Sequence, residues 1–391
     1  MLTTDNDILA PNTAKINYIA AYDFNEQTDP FSLGTTVGFV NGDAVASRFY
    51  EMEQQRREGE PQVIEQSKII SHSFPPNINH VSGSRDEQFV LFSVNKHNTL
   101  FGYKYYQTGQ ERLQGAWFRW ILQGNSYHHC IHNDVIFIVM QNGEQLTIQK
   151  IDLKVDDGTI TYPYGGQGRF PYHVYLDCKS QIPFTDLTYT AADDDTTFTL
   201  PYTSNSANQT MYVFTLTDGQ NQGRIVELGT AATDPNRIVG QTVTLKGDWR
   251  NGLDAQGNAI RTDLFVGYEF EMKVDFPTIY PTKTSGKGTT SDWRSSLIIH
   301  RVKFDLGVNQ AFDVEIRRTG KSDFTQTYEA RMNNAYPANQ VAFLPTRIVT
   351  MPCYERNQTL NITLKSSYPT GLILNSMTWE GDYNNKYYQS V

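Results

Sequence analysis

Nowhere in its 391 residues does the chain hold an apolar run near the roughly 18 residues that a membrane-crossing helix needs, so no such span is expected. Charge is thin as well. Asp, Glu, Lys and Arg make up 19% of the residues, with 42 acidic side chains against 33 basic ones. The formal net charge of −9 argues against sequence-independent nucleic-acid binding, which needs clustered Lys and Arg, and leaves nucleic acid only as a passing cargo. Cysteine is scarce and odd in number: Cys130, Cys178 and Cys353 stand far apart and read as reduced, buried residues, not as a disulfide framework. Asn-X-Thr triplets begin at Asn208, Asn357 and Asn361, but no signal peptide precedes them, so a soluble, unglycosylated protein is expected. Common enzyme motifs are missing too: there is no G-x-S-x-G elbow, no phosphate-binding glycine loop and no H-E-x-x-H.

What the chain has in quantity is aromatic residues and period-two alternation. Aromatics reach 13%, which favours strands and broad contact surfaces. From Phe265 to Phe276, Val266, Tyr268, Phe270, Met272, Val274 and Phe276 alternate with mostly charged positions, predicting one strand of roughly 40 Å with one buried face. The same pattern returns at Ile298–Leu306, Phe312–Arg317 and Leu360–Lys365, with turn chemistry between them at Gly307, Thr319–Ser322, Asn333-Asn334 and Pro369 to Gly371. The fold class is therefore all-β and antiparallel.

Three regions are expected. Residues 1–155 read as propeller-blade-like β structure, with short strands at Lys15–Tyr22, Thr36–Val40, Phe89–Asn95, Thr99–Gln107, Trp117–Leu122, Tyr127–Ile131, Val135–Gln141 and Gln145–Asp152. Pro61–Ile70 reads as a helix, with Pro at its first position and Val63, Ile64, Ser67 and Ile70 on one face. After a turn-rich linker, residues 156–262 carry many Thr, Asn and Asp and read as an inserted β-sandwich or barrel-like module, and residues 263–391 form the long-stranded antiparallel region.

Few residues invite a chemical reading. His128, Cys130 and His132 would share one face of a strand and are the metal-ligand candidates, but a closed zinc site needs a fourth ligand, and a buried or edge-strand cluster is the reading preferred. Asp193-Asp194-Asp195 and Asp254–Asn258 read as solvated turns before they read as calcium loops. Asp86, Glu87, Asp134 and Asp152 are the carboxylates a propeller glycosidase would draw on, yet such pairs work only at set separations. No catalytic residue, cofactor or metal is assigned. The basic spots Arg56-Arg57 and Lys283 with Lys287 sit in polar, Gly- and Ser-containing surroundings, as exposed loops do.

The carboxyl end carries the most specific signal. Leu297–Phe304 is followed by Phe312–Arg318 and then by Ser376-Met377-Thr378-Trp379-Glu380-Gly381-Asp382-Tyr383, and upstream stands Gln114-Gly115-Ala116-Trp117-Phe118-Arg119-Trp120. These runs resemble the tail tubular protein B, or nozzle, family of short-tailed bacteriophages, in particular its carboxyl-terminal half. The resemblance implies a non-enzymatic virion protein of the tail, assembled in the host cytoplasm. It also implies a homo-hexameric ring below the tail adaptor that encloses the DNA exit channel and contacts tail fibres. Within that picture the segment Pro281–Asp292, with Lys283, Ser285, Gly286, Lys287, Gly288 and Asp292, is the expected channel or interface loop. The alternative is a β-propeller protein that binds or cleaves carbohydrate at a host surface.

Overall fold

Strands that alternate apolar and polar residues and end in short turns tend to pair with the next strand in sequence, and the first half of the chain is built this way. In the computed structural model, residues 2–4, 14–16, 23–42, 45–53, 62–108, 111–153, 159–163, 169–173, 175–204, 210–215, 225–253, 259–261, 263–285, 288–292, 296–307, 309–328, 346–369 and 372–384 are described. Two compact units divide the chain, Met1–Asp156 and Asp157–Val391. Among the described residues the helical segments are three short 3-10 turns.

In the first unit, β1 (Leu2–Thr4) pairs with β2 (Ala14–Ile16). Strands β3 (Phe31–Ser32), β4 (Thr36–Asn41), β5 (Arg48–Glu53) and β6 (Gln62–Glu65) form a four-stranded antiparallel meander. Strands β7 (His80–Ser84), β8 (Phe89–Ser93), β9 (His97–Thr108), β10 (Glu111–His132), β11 (Val135–Asn142) and β12 (Gln145–Asp152) form a six-stranded one in the same sequential order. Phe49 joins the two meanders: its ring lies edge-on to Phe92 at 5.0 Å, Tyr103 at 6.0 Å and Trp117 at 6.2 Å.

Strand β10 makes the larger sheet curl. Its first half pairs with β9 up to Ile121 and its second half pairs with β11 from Asn125, with register shifts at the change of partner. Gly124 lies at that point, where a Cβ would stand 2.2 Å from the Gln141 carbonyl oxygen. The second half of β10 thereby returns to β7. Inside the curl, Phe89, Leu91, Leu100, Ile136, Ile138 and Met140 are buried, and Phe118 lies across Gly102, whose missing side chain leaves room for the ring.

The second unit begins with the hairpin β13 (Thr159–Pro163) and β14 (Arg169–His173). A sandwich follows, made of β15 (Asp177–Ile182), β16 (Thr188–Thr190), β17 (Asp195–Thr199), β18 (Met211–Thr215), β19 (Ile225–Leu228), β20 (Arg237–Val239), β21 (Thr242–Lys246) and β24 (Leu264–Tyr268), with the ribbon β22 (Asn251–Leu253) and β23 (Ala259–Arg261) preceding the last. Its sheets, in the orders β15-β24-β18-β19 and β16-β17-β21-β20, share a core that includes Phe198, Val213, Val243, Leu245, Val266 and Tyr268. Next come β25 (Met272–Asp275), the ribbon β26 (Thr282–Ser285) and β27 (Gly288–Ser291), then β28 (Ser296–Leu306), β29 (Phe312–Arg318), β30 (Phe324–Tyr328), β31 (Arg347–Arg356), β32 (Leu360–Ser366) and β33 (Leu374–Asn384). Sheets β25-β32-β29-β30 and β31-β28-β33 enclose a second core around Val302, Phe304, Val314, Met351 and Leu364.

Three expectations give way. The helix over Pro61–Ile70 is instead strand β6 followed by a 3-10 turn at Ser67–Ile70, and Pro61 lies outside the described residues. Strand β5 offers a ladder to this short segment, and Ser67 accepts a hydrogen bond from the Phe49 amide at 3.0 Å, so no isolated helix nucleus has to form. Trp117–Leu122 and Tyr127–Ile131 are not two strands but parts of the 22-residue β10.

The single strand over Phe265–Phe276 breaks at Glu269–Glu271 into β24 and β25, which belong to different sheets. β24 lies between β15 and β18 and is buried at all five positions, with Gly267 letting the Asp177 carbonyl come close. The alternation stays in phase across the break, which is why periodicity does not reveal it.

Candidate functional site: a clasped hairpin and a histidine seam

The ribbon β26–β27 occupies the segment expected to be a loop. Its pairs run from Thr282↔Ser291 through Lys283↔Thr290 and Thr284↔Thr289 to Ser285↔Gly288, and the Asp292 amide donates to the Pro281 carbonyl at 2.8 Å to close the base. Gly286 and Lys287, at the tip, lie outside the described residues.

The W-E-G-D-Y run lies on β33 and meets β28 beside that base. Strand β28 carries a bulge at His300: pairing with both β31 and β33 shifts between Ile299 and Arg301. The bulge absorbs one residue, so Leu297, Ile299, Val302 and Phe304 all remain on the buried side. Each motif residue has a task against this strand. Trp379 packs on the core opposite Val302. Glu380 takes ion pairs from both Arg301 and Lys303, which hold its carboxyl below the usual range. Gly381 is required by space, because a Cβ there would stand 2.1 Å from the Ile298 carbonyl oxygen. Asp382 lies 3.2 Å from His300, whose ring stacks on Tyr354. Tyr383 donates its hydroxyl to Asp292 Oδ2 at 2.8 Å.

On the entry side of the ribbon, Asn357, only 2% exposed, donates its side-chain amide to the Ile279 carbonyl at 2.9 Å. That amide, first residue of one of the Asn-X-Thr triplets, thus has a structural partner.

His128, Cys130 and His132 share one face of β10, as expected of alternate residues, but that face is exposed. A register shift between Ser126 and His128 turns His129 inward. His129 is 1% exposed and meets His80 and Ser82 of β7: its carbonyl lies 2.5 Å from His80 Nε2, and its Nδ1 lies 2.6 Å from the Ser82 hydroxyl. The His80 ring is 4.0 Å from that of His128 and 4.3 Å from that of His129. Side chains, not a backbone ladder, thus close the curl. Burial, reinforced by the neighbouring imidazoles, pushes the His129 pKa well below its ordinary value, and burial first and His128 next push His80 down. Among the described residues no group of three or more His, Cys, Asp or Glu is set to hold a metal.

The carboxylates considered for glycoside chemistry fall at two turns. Asp86 and Glu87 rim an open hollow of about 420 Å³ with Lys104 and Tyr106, and Lys104 engages Glu87. Asp134 and Asp152 lie together at the β10–β11 turn and the end of β12, where Lys150 pairs with Asp152 at 3.5 Å. The Asp193–Asp195 run is served by Lys246, 3.2 Å from Asp195, and by the Tyr189 hydroxyl on Asp194 at 2.9 Å. Asp254–Asn258 and Arg56-Arg57 lie outside the described residues. What sequence reasoning missed is the partnership of Tyr383 with Asp292 and of Asp382 with His300. Only the motif itself, already singled out, marks the place.

A search of curated proteins finds no match. Among solved structures, exo-beta-1,3-galactanase from Phanerochaete chrysosporium bound to beta-1,3-galactotriose is similar in two variants. One shows 8% identity over 92% of this chain and 98% of the galactanase, with a TM-score of 0.21. The other shows 9% identity over 90% and 95%, with a TM-score of 0.20. A likeness so slight supports no shared fold and no shared chemistry. The profile of the bacteriophage nozzle proteins, in contrast, matches residues 1–390. With an all-β fold whose W-E-G-D-Y strand locks into the second unit's core, the chain belongs to the bacteriophage nozzle protein family and is a structural component of the phage tail.

Proposed function

We propose that this chain is a non-enzymatic subunit of a homo-hexameric tail nozzle that encloses the DNA exit channel, joins the tail adaptor and carries contacts to tail fibres. In this reading it is assembled in the host cytoplasm and works in the virion tail. The observation that carries the reading is the clasped ribbon β26–β27. A hairpin whose base is tied on both sides to a packed core can hold a tip at a fixed place. In the proposed assembly that place is the distal or channel-facing end, where copies of Lys283 and Lys287 supply positive charge in an otherwise acidic passage. The formal net charge of −9 supports the same role, because an acidic wall repels phosphate and does not trap DNA in transit. The four-stranded meander β3–β6, stacked on β7–β10, has the strand order of propeller blades, and neighbouring chains would supply the rest of such an arrangement.

Imaging of assembled tails by electron microscopy tests this. Six copies about one axis, each with its β26–β27 tip toward the lumen, are expected. A three-fold ring, or tips on the outer rim away from neighbouring copies, would overturn the assignment. Deletion of Ser285–Thr290 is expected to change the ejection rate.

A further inference from the structure

We infer that Tyr383 and Asp292 form a latch that sets the direction of the β26–β27 ribbon, so that the W-E-G-D-Y strand acts as a positioning element for the hairpin.

The need for a latch follows from topology. A two-stranded ribbon is marginal by itself, and among the described residues β26 and β27 pair with no further strand. No sheet therefore dictates where the ribbon points; its two ends do. The entry end is held through Ile279, which packs on the core and whose carbonyl takes the buried Asn357 amide. The exit end is Asp292, which closes the base through its own backbone and carries the carboxylate that Tyr383 contacts.

The position of Tyr383 is in turn over-determined. It pairs with Leu297 at the end of β28, and the bulge at His300 keeps that row on the core side. Gly381 allows the two backbones to approach there, while Glu380 with Arg301 and Lys303, and Asp382 with His300, hold the strand from the other face. Tyr383 is 44% exposed, so burial alone does not hold it; the pairing of β33 with β28 places it, and its hydroxyl contact ties it to Asp292. The latch rests on the nozzle reading only for what the hairpin does, not for its existence.

Limited trypsin digestion of the full chain tests it, since Lys283 and Lys287 are cleavage points within the ribbon. Cleavage from a transiently opened state follows the population of that state. Loss of a hydrogen bond to a charged group raises that population roughly tenfold, so Tyr383→Phe and Asp292→Ala are each expected to speed cleavage about tenfold. The double variant is expected to be no faster than either single one, and Tyr354→Phe, on the neighbouring strand, to leave the rate unchanged.

Parent-like cleavage in both single variants, or multiplied rates in the double variant, would overturn the latch. If Tyr383→Phe also exposes the β28 amides to exchange, Asp292→Ala and Asp292→Asn carry the test. The latter keeps an acceptor oxygen and should fall between parent and Ala. The channel assignment fails separately: a latched hairpin found on the outer rim of imaged tails refutes the assignment and leaves the latch standing.

Discussion

The first unit is knit from neighbours and the second from strangers. From β3 to β6 and from β7 to β12, each strand hydrogen-bonds to the strand before or after it, and the seam of His80, Ser82 and His129 brings β7 against the far half of β10. In the second unit β24 lies between β15 and β18, β32 between β25 and β29, and β28 between β31 and β33. A meander can bend until its ends meet, and side chains can then close it. A sheet whose central strand comes from far along the chain is closed by backbone ladders from the outset. The first design leaves its closure to side-chain packing and a few buried polar contacts, whereas the second closes where backbones approach.

The most disruptive way to probe this contrast is Phe49→Ala. Phe49 is fully buried against Phe92, Tyr103 and Trp117, so its truncation is expected to cost about 3–5 kcal/mol. Hydrogen exchange should show the loss within Met1–Asp156 alone, and equal deprotection of β28 and β32 would break the comparison. Next in size is Gly381→Ala, where backbone must move; about 2–3 kcal/mol is expected, as a lower urea midpoint traced to the second unit.

Acid should separate the units by onset. His129 is neutral in the fold and its pKa is depressed from 6.5, so the unfolded chain binds the proton first and the first unit loses stability as pH falls below 6.5. In the second unit Glu315, Glu355 and Glu380 are each held below 4.5 by basic partners: Lys365 and Arg317, Lys321, and Lys303 and Arg301 respectively; Asp248 and Asp275 are lowered in the same sense. Their contribution is present above 4.5 and lost only as pH falls below it. Glu51 in the first unit and Glu269 in the second, both raised by burial, act in the opposite sense, and His129→Gln isolates the histidine effect. Coincident loss of amide protection in β8 and β28 between pH 6.5 and 5 would contradict this division. The smallest effect is expected at the surface: Lys150→Ala should change stability by no more than about 0.5 kcal/mol in a urea titration.

How much could be read from the residues differs in the same way between the units. The alternation at β11, and at β28 and β32, places those strands because each has one buried row, whereas β8 is buried at all five positions and reads as a strand only from its apolar run. Period two does not tell which strand lies alongside, so β24 and β25 read as one. A short apolar spacing at Val63, Ile64, Ser67 and Ile70 fits helix and edge strand alike until β5 is in view. The W-E-G-D-Y run is conspicuous as a string, and its membership in a family is readable there. Its work depends on a bulge at His300 and a carboxylate at Asp292, neither of which leaves a mark in the spacing.

The place of β33 bears on how the chain is made. A growing polypeptide leaves the ribosome from its amino end, so β7 to β12 meet their partners within a turn or two of being translated. Strand β28 must wait for β33, and β25 for β32. Until translation passes Tyr383, one edge of β28 is open and the ribbon at Asp292 is untethered. Open edges of that kind attract chaperones, proteases and other strands. A chain stalled before this point would thus be visible to the cell's quality control, and the motif strand would admit to assembly only chains translated through it.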